Sequence, residues 1–461
     1  MGGRSAASLQ RRIDVRGRSI DDVGSAAIGH PPSSPSAVSS IDPDRASPRQ
    51  LRRELGTLDA VGIGLGAIVG AGIFVVTGVA AGGAGPAFLV GLLLAGVVAT
   101  CNALASAQLA AEYPQAGGTY EYGYRVLTPW AGFAAGWMFL VSKIAAAGTV
   151  AKGLAGYLET LVPGVPPRWV AVGAIVVFTA LNYFGVRRSS RANLAIVAVS
   201  LSSLVLFVVA GAAAFDEENL RPFAPAGWRG IFESAAILFF AYTGYARIAT
   251  LAEEVRDPRR TIPRAVLITI GVALAIYFAV ALVAVGAVGA EALASTPAPL
   301  HRAAVAFSAP WVATWVSIGG LTAMLGVVLS QLLGLSRMGF AMARGGDLPG
   351  SLARVHPRWG VPGRAVVAIG AIAAVVAATG TLRAVASAAA FAILIYYGIA
   401  NVAALRMPRQ AKLYPDVVPI VGVIGCAVLA FSLSAAVIVT GIATLAAGPL
   451  LRALLRRRFA A

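Results

Sequence analysis

Charge is scarce in this chain. Only 12% of its 461 residues are Asp, Glu, Lys or Arg, 58% are hydrophobic, and the mean hydropathy is +0.79. A water-soluble globular chain carries about 25% charged residues. Half that share over this length excludes a surface that mostly faces water. Cysteine is nearly absent as well: Cys101 and Cys426 both lie inside apolar runs. That excludes a disulfide framework or a thiolate metal site and leaves both as small packing residues. Three histidines, His30, His301 and His356, fall in the N-terminal tail or in loops. No His-rich catalytic or metal cluster is expected inside the apolar spans. The charge that remains is lopsided, at +17 net. Such an excess raises nucleic acid as a partner. The arginines, however, stand in short clusters between apolar runs and not along one face, which is the pattern of a membrane protein.

Residues 1 to about 50 are rich in Ser, Pro, Gly and Arg, with no apolar run. Such a segment buries too little apolar area to offset its ordering entropy, so it is expected to be a disordered basic tail. It also lacks the apolar core of a cleaved signal peptide. A membrane domain is expected over 51–452, with a short basic tail at 453–461. Apolar stretches follow one another at 57–80, 86–110, 131–158, 168–184, 192–214, 230–251, 264–289, 309–338, 364–380, 384–405, 417–432 and 435–452. Each is near the roughly 20 residues that a helix needs to cross the hydrocarbon core. The last two share one run that only Ser432 and Ser434 interrupt, so a single bent span is an alternative there.

Charge orients the spans. With the N-terminus inside, Arg187, Arg188, Arg191, Arg256, Arg259, Arg260, Arg264, Arg406, Arg409, Lys412, the arginines from Arg337 to Arg364 and those from Arg452 to Arg458 fall on the cytoplasmic side. The other side keeps Arg168, Arg221, Arg229, Arg302 and Arg383. This bias puts both termini in the cytoplasm, across a cell membrane, and supports an even number of spans.

Two spans contain glycine clusters that a plain anchoring helix does not need. The first runs Gly62-Ile63-Gly64-Leu65-Gly66-Ala67-Ile68-Val69-Gly70-Ala71-Gly72-Ile73-Phe74. Tight helix packing through small residues is one reading. The other is a break: Gly70-Ala71-Gly72 is a local minimum of helix propensity near mid-span. An unwound segment there exposes N–H groups at the start of a new helix, where the dipole favours a carboxylate. The sixth span holds Phe239-Phe240-Ala241-Tyr242-Thr243-Gly244-Tyr245, again with a central glycine. The two clusters open successive five-span blocks, about 57–214 and 230–405, with two extra helices over 417–452. That is the pattern of an inverted-repeat transporter with its site at the midplane.

These residues resemble the amino acid–polyamine–organocation (APC) superfamily. The resemblance rests on Gly66 to Phe74, on Pro114-Gln115-Ala116-Gly117-Gly118-Thr119-Tyr120, and on Phe239 to Tyr245. It continues in Glu253-Glu254-Val255-Arg256-Asp257-Pro258 with Thr261-Ile262-Pro263-Arg264-Ala265, and in Arg337 with Ala341-Met342-Ala343-Arg344. It implies an all-α polytopic fold like that of the leucine transporter: twelve helices, a 5+5 inverted repeat, and broken helices 1 and 6. It further implies a permease whose substrate carboxylate meets the amides of Gly70, Ala71 and Gly72. The amino group would meet the carbonyls of Phe240, Ala241 and Thr243 beside Gly244, with Tyr242 or Tyr245 closing the pocket. Three positions depart from the family's habits. Gln108 stands where a Glu is common, Ser200 where proton-coupled relatives carry a span-5 lysine, and Ala246-Arg247 where an acid sometimes follows the span-6 block.

Ionisable residues inside spans are costly and therefore candidates for function. Lys152 lies close enough to the outer surface to snorkel. Lys143 lies deeper, and desolvation favours the neutral form of an amine. It is a candidate to carry a coupled proton or to mimic a bound sodium ion, the alternative being a structural lysine held by helix carbonyls. A sodium ion held by Ser200, Thr322 and carbonyls near Gly66 or Val69 is the competing account. Either ion would serve as the only cofactor. Arg247 caps carbonyls, pairs with Glu253 or Glu254, or meets a carboxylate; the three form a candidate gate or a solvated loop. Thr261 offers an N-cap for span 7, with Pro263 in its first turn.

An intramembrane enzyme needs a nucleophile with a base, or paired carboxylates, at depth, and none is present. A channel filter is not visible. The expected function is secondary transport of amino acids, by proton-coupled symport or exchange, with a small zwitterion preferred over a diamine. A polyamine exchanger and an amino-acid sensor with a transporter fold are the alternatives. The expected partners are the substrate and the lipid bilayer, with no nucleic acid, and the oligomeric state is left open.

Overall fold

The computed structural model describes residues 56–113, 117–185, 190–245, 248 and 255–459. The calls on the N-terminal tail, on Pro114 to Ala116, and on Arg247, Glu253 and Glu254 lie outside these residues. The described residues are mostly helical and contain no β-strand. In chain order the helices are α1 (Thr57–Ile68), α2 (Thr77–Ala84), α3 (Phe88–Glu112), α4 (Thr119–Tyr122) and α5 (Pro129–Leu161). Then come α6 (Pro167–Tyr183), α7 (Ser190–Gly211), α8 (Gly227–Tyr242), α9 (Pro258–Ala294) and α10 (Pro299–Ala304). Last are α11 (Pro310–Arg344), α12 (Gly363–Thr379), α13 (Leu382–Leu405), α14 (Val417–Phe431) and α15 (Ala435–Phe459). Among the described residues, seven helical segments are long and apolar enough to cross a membrane, with Thr57–Glu112 counted as one. The apolar helices α6, α12 and α14 are shorter.

Local sequence explains several of the starts. Proline opens α5, α6, α9, α10 and α11, where its missing N–H costs nothing and its φ is already helical. Thr128 caps α5 through Oγ1, accepting from the Ala131 N–H at 3.1 Å, and Thr381 caps α13 in the same way. One expected cap is corrected. Span 7 begins at Pro258, not after Thr261, whose hydroxyl instead donates to the Arg256 carbonyl at 2.6 Å. A proline preset for the first helical position outcompetes a threonine three residues on. The regular part of α9 ends at Gly289, whose φ of 75° favours glycine. The run at 417–452 is two helices, broken at 432–434.

α5 is central, packing against α11, α13, α6 and α12, while α3 packs against α8, α9 and α14. The core is built largely of alanine with valine, leucine, isoleucine and aromatic side chains, and small residues let helix backbones approach closely. Large apolar side chains such as Val97, Val176, Val209, Ile372 and Val439 remain on the outside. Buried polar groups tie distant helices together. Asn401 donates through Nδ2 to Asn102 Oδ1 at 2.6 Å, and Asn102 Nδ2 reaches Cys426 Sγ at 3.2 Å, linking α3, α13 and α14.

Candidate functional site: the two helix breaks

The first glycine cluster does break its helix. The last regular bond of α1 runs from the Val69 N–H to the Leu65 carbonyl, and Val69 is extended, with ψ at 111°. The chain re-enters helical geometry at Ala71 and forms one π-turn, Gly72–Val76, before α2. The ladder resumes with the Phe74 N–H on the Gly70 carbonyl, at 3.2 Å. The amides of Gly70, Ala71 and Gly72 thus stand at the start of the second half, where a helix leaves N–H groups without intrahelical acceptors. Two tyrosines cap carbonyls on either side. Tyr277 Oη of α9 donates to Ile68 O at 2.8 Å, and Tyr157 Oη of α5 donates to Phe74 O at 2.7 Å.

The second cluster ends α8 at Tyr242 and continues as a 3-10 turn, Thr243–Tyr245. The two breaks are pressed together through their glycines. A Cβ at position 72 would overlap the Cα and Cβ of Ala241, and one at 244 would overlap the backbone of Ala67 and Ile68. Gly70 faces Val327 of α11, 2.8 Å from where its Cβ would lie. The glycines therefore serve close approach as well as unwinding.

Lys143 projects from α5 to this junction. Its Nζ lies 3.4 Å from Thr243 Oγ1 and 5.9 Å from the centre of the Phe139 ring, and the side chain is half-buried. The Thr243 hydroxyl itself donates to Phe240 O at 3.0 Å. That carbonyl also takes the Thr243 N–H, so its two acceptor positions are both occupied within the protein. Ala241 is buried against Gly72. Tyr242 is fully buried, with its Oη 3.3 Å from Leu92 O and its ring 5.6 Å from that of Tyr277. Tyr245 stacks near Tyr397, at 5.4 Å.

The hydroxyls weighed as ion ligands bond within their own helices: Ser200 Oγ to Ile196 O at 2.6 Å, and Thr322 Oγ1 to Ile318 O at 2.9 Å. Gln108 is buried, and its Oε1 accepts from the Leu413 N–H at 3.3 Å. Among the described residues no group of His, Cys, Asp and Glu is arranged to hold a metal ion.

Residue patterns alone had not singled out the capping tyrosines or a buried ion pair. Asp347 Oδ1 lies 2.8 Å from Arg452 Nε, with both side chains nearly inaccessible. Tyr120 and Tyr124 donate to Asp347 Oδ2 at 2.9 and 2.6 Å, and Arg452 stacks over Phe133 at 5.0 Å. Burial and the neighbouring Asp347 carboxylate push the Tyr120 hydroxyl above its ordinary value. The signals were there to find. Asp347 is the one acid between Arg337 and Arg364, and Tyr277 is a polar tip within an apolar helix.

A multi-pass apolar helical bundle with an interrupted helix pressed against a second helix break defines a membrane transporter, not an enzyme. Residues 59–448 match the amino acid permease family, and the chain belongs to it. It is 44% identical over 410 residues to an uncharacterised transporter of Mycobacterium tuberculosis, covering 88% of this chain and 92% of the relative. It is 31% identical to the branched-chain amino acid permease BcaP of Bacillus subtilis, covering 68% and 72%. The methylthioribose transporter of the same organism is 30% identical, covering 82% and 87%.

Proposed function

We propose that this amino acid transporter is a secondary active permease for amino acids, built on twelve spans with both termini in the cytoplasm. In this reading the spans form two inverted five-span blocks and two extra helices. The observation that carries it is the mutual contact of the breaks, Gly72 on Ala241 and Gly244 on Ala67 and Ile68. One break presents amides, which suit a carboxylate; the other is a helix end, whose carbonyls suit an ammonium. With Phe240 O engaged, Ala241 and Thr243 are the carbonyls for that role. The branched-chain permease is named for an amino acid and the methylthioribose transporter for a sugar derivative. Substrate choice therefore rests on this chain's own site. Lys143 argues against a diamine, because an ammonium at Thr243 repels a second cation.

For coupling, Lys143 is the residue to carry a proton, with Arg247, Glu253 and Glu254 as the gate. The experiment is uptake into proteoliposomes of labelled alanine, leucine, arginine and putrescine under imposed proton or sodium gradients. Saturable amino acid uptake driven by the proton gradient is expected. Lys143→Gln should end accumulation while sparing exchange at equal concentrations. Accumulation by that variant on a pH gradient removes Lys143 from coupling, and uptake of putrescine alone overturns the amino acid reading.

A further inference from the structure

Among the described residues, the proposed permease site contains one cation that its two helix breaks leave unmatched. The first break offers amides to the main-chain carboxylate of an amino acid, and the second offers carbonyls to its ammonium. Lys143 is a third attachment point. Its Nζ sits at the second break, and Thr243 Oγ1 at 3.4 Å is its one hydrogen-bond acceptor among the described residues. At that length the bond is weak; Thr243 Oγ1 accepts it while donating its own proton to Phe240 O. An ammonium has three donors. The described ion pairs engage Glu112, Glu121, Glu233, Asp257, Asp347 and Asp416, and none of them reaches Lys143. The flanking groups on its own helix are Ser142, which donates to Ala389 O, and Phe139, whose ring packs on Tyr396 at 5.3 Å. Neither supplies a negative charge.

We infer that Lys143 is a specificity-determining residue that receives the side-chain carboxylate of an acidic amino acid. This deepens the amino acid permease reading and rests on it. A monocarboxylic zwitterion satisfies both breaks and leaves the lysine charge uncompensated in apolar surroundings, which is unfavourable. A dicarboxylic amino acid brings the missing anion, and two further ammonium donors are there to meet it. A cationic amino acid places like charges at the same point and is rejected.

Glutamate and glutamine test this directly, since they match in shape and differ in charge. Binding of each to the purified full-length protein is measured by competition against a labelled amino acid that binds. Glutamate or aspartate should outcompete glutamine and leucine by about tenfold or more, the scale of one desolvated charge pair. Lys143→Met should erase or invert the glutamate-to-glutamine ratio while leucine still binds, and Lys143→Arg should keep it. A wild-type protein that binds glutamine and leucine as tightly as glutamate overturns the inference, whatever the variants do, and leaves the permease reading standing. So does an unchanged ratio in Lys143→Met. If no amino acid binds the folded wild-type protein, the permease reading falls and this inference falls with it.

Discussion

Gly72 and Gly244 solve one problem from opposite sides, each giving up its side chain so that the backbone of one break can lie on the other. A methyl at either position has nowhere to go, because the obstructing atoms are main chain or Cβ and not the flexible end of a side chain. Overpacking of this kind costs about 1–3 kcal/mol. Gly72→Ala should therefore lower the thermal unfolding temperature in detergent. Gly62→Ala, where a Cβ meets nothing within 4 Å, should be neutral or slightly stabilising. Equal effects at the two positions would remove the close-approach argument. The Asp347–Arg452 pair is the second residue-level commitment. Arg452→Met takes the arginine partner from a buried carboxylate, and breaking such a pair costs about 3–5 kcal/mol. Adding Asp347→Leu to Arg452→Met should recover most of that loss in the same unfolding assay. A double variant no more stable than Arg452→Met alone would show that the charge is not what matters.

Short connecting elements carry consequences of their own. In α10, His301 Nδ1 lies 2.9 Å from Ser317 Oγ, which in turn meets Thr160 Oγ1 at 2.8 Å, so one imidazole joins α10, α11 and α5. Burial lowers the affinity of His301 for a proton, and its contact with the Ala313 carbonyl opposes this only in part. Its folded value thus lies below the ordinary 6.5, and the unfolded chain binds more protons in that range. The stability from His301 is present above about pH 6.5 and is lost as the pH falls below it. The unfolding temperature should drop between pH 7.5 and pH 5.5, and His301→Gln should flatten that drop. An equal drop in the variant assigns the pH dependence to other groups. The elements themselves were largely legible beforehand. Apolar runs and glycine minima are local signals, and they located α3, α5, α6, α13 and the break at Gly70 to within a few residues. The cross-links were not legible. Asn401 finds Asn102 across 299 residues, and no local pattern encodes such a pairing. Thr261 misled because two local signals competed and the proline at 258 prevailed. At the site, the position of Lys143 was readable as a deep cation. Its contact with Thr243 depends on how two helices 100 residues apart are packed.

For the molecule as a whole, the arginine bias makes a prediction that the bundle itself does not contain. Reporter fusions after Arg221 and after Arg409 should give opposite signals, periplasmic for the first and cytoplasmic for the second. The same signal at both positions would undo the proposed orientation. The interrupted first helix also matters while the chain is being made. The carbonyl of Ile68 is capped by Tyr277, which lies 209 residues further along. At roughly 5–20 residues per second, about 10–40 s separate the synthesis of the two. For that interval the Ile68 carbonyl lacks its tyrosine cap and must be satisfied by water, by the insertion machinery, or by staying at the edge of the bilayer. The break between α1 and α2 is thus made early and finished late, and its final seating waits on α9.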